Sequence, residues 1–113
     1  MKQIKIEGLL PVPLKKLVGQ TDIKSQKVVM RQLTAIEYLE SQASIEAGHF
    51  VAIADLASMT KLIDDDGDEH EITYEMLGHS SRANLKYLDE LRNQLDAKEA
   101  AESSSDEQES SEN

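Results

Sequence analysis

Pro11 and Pro13, two residues apart in the run GLLPVPLKKLVGQTD, set the tightest limit on how this chain folds. Each proline lacks the amide hydrogen that a helix interior, or a strand with neighbours on both sides, requires. The run is therefore readable only as a loop or as an extended segment at the edge of a sheet. Just before it, Ile4 and Ile6 alternate with Gln3, Lys5 and Glu7, the period-2 pattern of a half-buried strand near 2–7. Beyond it, KSQKVVMRQL centres on Val28, Val29 and Met30 and predicts a second strand near 25–33, paired antiparallel with the first. A two-stranded sheet is marginal in water, so this hairpin must lie on helices or on another subunit.

The rest of the chain reads as helical. Thr34 and Glu37 have the spacing of a capping box, in which hydroxyl and carboxylate satisfy the free amides of a helix start. They predict a helix near 35–47 with Ile36, Leu39 and Ala43 on one face and Gly48 as its C-terminal cap. HFVAIADLASMTKLI is apolar around much of its circumference and predicts a central helix near 50–62, with Phe50, Ile53, Leu56, Ala57 and Leu62 inside. EITYEMLG reads as a short strand or a helix of one to two turns ending at Gly78. Ser80 or Ser81 can cap a last helix near 81–98.

Leu85, Leu88, Leu91 and Leu95 line one side of that last helix, with Tyr87 beside them. The stripe is narrow and leucine-only, like a helix-pairing seam, and these five residues are the expected partner-binding positions; packing on the chain's own core is the other reading. After Lys98, EAAESSSDEQESSEN has almost nothing to bury and is expected to be a disordered tail. The expected fold class is thus α+β: a single domain over 1–98, with an N-terminal antiparallel hairpin on three to four helices, and a Glu/Ser-rich tail over 99–113.

At 113 residues the chain has room for one core, and with one Phe, three Tyr and no Trp that core is aliphatic. No Cys is present, which excludes disulfides and thiolate chemistry. The longest early apolar run falls far short of the ~20 residues of a spanning helix, so no membrane partner is expected, and the protein is read as cytoplasmic. A net charge of −10 argues against nucleic acid as a partner. The charge is also segregated: residues 1–31 carry seven basic and two acidic groups, residues 32–98 five and fourteen, and residues 99–113 none and six. A basic N-terminal piece against an acidic body can be self-complementary within one chain or between copies of a homo-oligomer.

Six of the 22 acidic residues lie in IDDDGDEHEIT, residues 63–73, around Gly67. Aligning Gly67 on the invariant glycine of a helix-loop-helix calcium site puts Leu62 where the first carboxylate belongs and Thr73 where the bidentate Glu belongs. Only Asp64 and Asp66 fit, so the stretch reads as a solvated acidic turn and no metal site is assigned. His70 in this turn reads as a surface histidine, and the three histidines His49, His70 and His79 lack metal-ligand spacing. Ser80 and Ser81 beside His79 are explained by helix capping rather than by a nucleophile and base. The isolated glycines match neither a phosphate-binding loop nor a dinucleotide fingerprint. No catalytic residue and no cofactor is therefore expected, and the chain reads as a binding protein.

The charged opening strand, the VVMRQLTAIEYLE strand-to-helix step, the small-residue central helix and ITYEMLGHSSRANLKYLDELRNQL together resemble the tail assembly chaperones of Mu-like and P2-like contractile-tailed bacteriophages. The resemblance covers about residues 2–98 and lies in pattern and size rather than in an invariant motif. It implies a non-enzymatic protein, absent from the mature virion, that binds the long helical tape measure protein and keeps it soluble until the tail tube polymerises. It also implies the tail tube protein as a second partner, recruited in that family by a longer frameshifted form. The rival expectation is an acidic inhibitor or nucleic-acid mimic that occupies a basic site on a host protein.

Overall fold

The computed structural model describes residues 3–111, with side chains through residue 102. Four strands form one antiparallel sheet in sequence order: β1 (Lys5–Val18), β2 (Thr21–Arg31), β3 (Thr60–Ile63) and β4 (Glu69–Glu71). Four helices accompany it: α1 (Ala35–Ala43), α2 (Val51–Met59), α3 (Tyr74–Gly78) and α4 (Arg82–Ser111). The α+β reading holds, with the expected hairpin enlarged into a four-stranded sheet. Helices α2, α3 and α4 cover one face of it.

The proline run lies at the edge of the sheet, as its missing amides demand, but as strand rather than loop. β1 runs straight through Pro11 and Pro13, and the ladder closes again beyond them, from Leu14↔Ser25 to Val18↔Thr21. Between Leu9↔Lys27 and Leu14↔Ser25, five steps along β1 are matched by two along β2, so the prolines sit in a bulge. Side chains replace the ladder bonds lost there. Asn84 of α4, fully buried, accepts from the Val12 amide at 3.0 Å and donates to the Val12 carbonyl at 2.9 Å. The Tyr87 hydroxyl accepts from the Leu9 amide at 3.0 Å, and Gln26 Nε2 donates to the Leu10 carbonyl at 2.9 Å. Gly8 lets Tyr87 come this close, because a Cβ there would collide with the phenol oxygen.

The core lies between sheet and helices. Leu10, Leu14, Val28 and Met30 of the hairpin meet Leu56 of α2, Leu62 of β3, Leu77 of α3 and Leu88, Leu91 and Leu95 of α4. Val29 points to the opposite side of the sheet yet is buried as well. By strand alternation it shares that outer face with Arg31 and Glu69, which form a bidentate pair at 2.7 Å between two strands that are not neighbours.

Three expectations for the first two helices need correction. The central helix predicted over 50–62 ends at Met59, and Thr60 to Ile63 form β3, whose Leu62 is buried as a strand residue. Thr60 Oγ1 donates to the Leu56 carbonyl at 2.7 Å as the helix ends, and β3 pairs with Val28, Val29 and Met30. Phe50, predicted inside, is 71% exposed. The first helix stops at Ala43 with Ser44 as its cap, well before Gly48, which occupies a turn at φ +89°. Helix α4 continues past Lys98, with residues 99–102 exposed; most of the expected disordered tail over 99–113 falls on residues whose side chains lie outside the described part.

Asn84→Ala is expected to leave the Val12 amide and carbonyl without partners and to lower stability by roughly 1–3 kcal/mol. The check is a lower urea midpoint with an unchanged slope; an unaltered midpoint would show that the bulge holds without Asn84.

Candidate protein-binding surface

The predicted partner-binding residues do not face outward. Leu88, Leu91 and Leu95 are within the core, and Leu85 and Tyr87 are half-buried against it. The leucine stripe of α4 is the wall on which the sheet packs, so in this fold the chain's own core covers Leu88, Leu91 and Leu95. Sequence periodicity identified an apolar face here without identifying what covers it.

The surface that is available lies on α1. Its start is well defined: Thr34 Oγ1 accepts from the Glu37 amide at 3.1 Å, and Glu37 Oε1 accepts from the Thr34 amide at 2.8 Å, the capping box read from sequence. None of its nine residues is buried. Ser41 and Gln42 are the most covered, and Gln42 Nε2 donates to Asp55 of α2 at 2.5 Å. Ile36 and Leu39, one turn apart, are 69% and 64% exposed. The helix is amphipathic but turned round: polar groups hold it to the body and its apolar face meets water. This reverses the expectation that Ile36, Leu39 and Ala43 form a core face.

The loop from α1 to α2 adds to that surface. The Phe50 amide donates to the Tyr74 hydroxyl at 2.8 Å, and the Tyr74 ring stacks on His49 with centroids 3.8 Å apart and planes 7° from parallel. Tyr74 therefore fixes the backbone at the start of α2 while the Phe50 and Val51 side chains remain exposed. Two clefts adjoin α1. One, of about 300 Å³, is lined by Ala35, Tyr38, Met59 and Arg92; the other, of about 580 Å³, by Ile45, His49, Ala57 and Tyr74. Glu37, Glu40 and Glu46 give the region a negative rim.

The remaining polar clusters are accounted for locally. Ser81 Oγ accepts from the Ala83 amide at 3.1 Å as a cap, Ser80 Oγ donates to the Leu77 carbonyl at 2.7 Å, and His79 lies 3.1 Å from Glu75. IDDDGDEHEIT spans the β3–β4 hairpin turn and β4, with Gly67 at φ +87° supplying the bend. Asp64 organises it: Oδ1 accepts from the amides of Asp66 and Asp68, both at 2.9 Å, and Oδ2 lies 2.7 Å from His70 Nε2. Asp64, Asp66 and Asp68 bring carboxylate oxygens within 4.8 Å of one another, but a cation there would compete with His70 and two amides for Asp64. The His70 hydrogen bond, followed by that from the Asp68 amide, holds the Asp64 carboxyl below its ordinary value. Arg31 does the same for Glu69. Among the described residues no helix is long and apolar enough to cross a membrane.

A carboxyl whose pKa is lowered by folding contributes stability above its unfolded value, about pH 4, and loses it as pH falls through the folded value. Asp64→Asn should therefore depress the thermal midpoint most above about pH 5, with the gap to the parent chain closing towards pH 2; a constant gap would exclude this linkage. Calcium at millimolar levels should leave the midpoint unchanged beyond ordinary ionic-strength effects, and a saturable rise would reveal a binding site in the turn. No family model, curated protein or solved structure matches this chain.

Proposed function

We propose that this chain is a non-enzymatic tail assembly chaperone of a contractile-tailed phage of the Mu-like or P2-like kind. In this reading the α1–α2 surface holds amphipathic helical segments of the tape measure protein in solution until the tail tube polymerises around them. The chaperone then leaves, and the tail tube protein is its second contact. The observation that supports the reading is the outward apolar face of α1, with Ile36 and Leu39 beside a helix start bearing Phe50 and Val51. Each such side chain left in water forgoes roughly 1.5–3 kcal/mol that burial would recover. An apolar patch rimmed by carboxylates suits a partner helix with apolar anchors and basic flanks.

The test is co-expression of the full chain with a tape measure protein of a Mu-like or P2-like phage, scored as soluble tape measure protein co-purifying with the chain. The parent chain should retain it in moderate salt, since apolar contacts resist screening. Ile36→Asp combined with Leu39→Asp should reduce the recovered complex at least tenfold while leaving the urea midpoint in place. Equal recovery by the variant would put the binding elsewhere. A complex that dissolves in moderate salt and contains a basic host protein instead would favour an acidic inhibitor.

A further inference from the structure

The basic end of the chain presents a surface complementary to α1. At the tip of the β1–β2 hairpin, Leu17 is 66% exposed and Val18 38%. The register sets Lys15 directly opposite Lys24, a like-charge pair in the closest cross-strand position, which costs stability unless an anion lies near. Among the described residues no carboxylate forms an ion pair with Lys15, Lys24 or Lys27. With Asp22 opposite Leu17 and Lys15, Lys16 and Lys24 behind it, the tip is apolar and net cationic, whereas α1 is apolar and anionic. Glu40 likewise makes no ion pair among the described residues, and Glu46 lies 3.6 Å from His49 Nε2.

These two surfaces do not meet within one molecule: Lys16 reaches the body through the Glu71 carbonyl at 2.6 Å, while Leu17, Ile36 and Leu39 all stay exposed. β2 separates them, and its 11 residues, at ~3.4 Å each, place the tip about 35 Å from the end of the strand that leads into α1. Symmetric pairing of two tips would set lysines against lysines. Edge-to-edge pairing through β1 is blunted by the missing amides of Pro11 and Pro13. What fits is tip against helix.

We propose that the β1–β2 tip of one copy docks on the α1–α2 surface of a second copy, Leu17 against Ile36 and Leu39, and Lys15 and Lys24, which share its strand face, against Glu40 and Glu46. The contact is heterologous, so it repeats from copy to copy until it closes a ring or continues as a filament. It also covers the surface assigned above to a partner helix, which makes self-association and capture of another chain mutually exclusive there. The self-contact does not depend on which protein that partner is.

Sedimentation velocity of the full chain alone tests this. In low salt the weight-average mass should rise above the monomer with concentration and return towards it in high salt. Lys15→Glu with Lys24→Glu, and separately Glu40→Lys with Glu46→Lys, should each raise the apparent dissociation constant by about tenfold or more. An equimolar mixture of the two variants should restore association, because each reversed surface then meets a reversed partner. Far-UV circular dichroism establishes that both variants are folded. A parent chain that stays monomeric at every concentration would overturn the proposal, as would variants that associate like the parent or a mixture that fails to recover.

Discussion

The two hydrogen bonds from Asn84 to the backbone of Val12 are the point on which the architecture turns. A strand interrupted by two prolines loses the amides that would register it against its neighbour, and without a substitute β1 would end near Leu9. Asn84 supplies an acceptor and a donor from α4, as a neighbouring strand would, while Tyr87 and Gln26 secure Leu9 and Leu10. Because Asn84 and Tyr87 lie on the same helix as Leu88, Leu91 and Leu95, one element both seats the bulge and fills the core. The long basic hairpin beyond the bulge is carried outward on that support.

Local chemistry was legible in the sequence and long-range placement was not. The Thr34–Glu37 box, the edge position of Pro11 and Pro13, the Ser81 cap and the bend at Gly67 depend on residues close together in the chain, and each appears in the structure. β3 was hidden because an apolar run such as MTKLI suits a helix or a strand equally, and the choice is made by pairing with Val28–Met30, some thirty residues away. The α4 stripe and the α1 stripe look alike as patterns. One is sealed by the sheet and the other faces solvent, a difference set by where β2 delivers the chain rather than by the helices' own residues. The ordering role of Asp64 was likewise invisible, since six acidic residues in a row of eleven do not reveal which one accepts from His70.

The segregation of charge seen along the sequence becomes a separation in space. Lysines gather towards the free end of the hairpin, beside Asp22, and glutamates around α1, so local charges of opposite sign lie apart in a molecule of net charge −10. The net charge keeps copies apart at distance, while the opposite local charges orient those that approach. Salt weakens both.

The manner in which α1 is attached has a dynamic consequence. Held by Gln42 to Asp55 and by half-buried serine rather than by interlocked leucines, it can leave the body without opening the core. Its local opening is therefore expected to cost less than global unfolding, with its amide hydrogens exchanging before those of β2 or the packed turns of α4. Whatever covers Ile36 and Leu39 tethers the helix on the side the fold leaves untethered. Part of the free energy of such a contact goes into quieting α1, and the order that results belongs to the complex rather than to either chain alone.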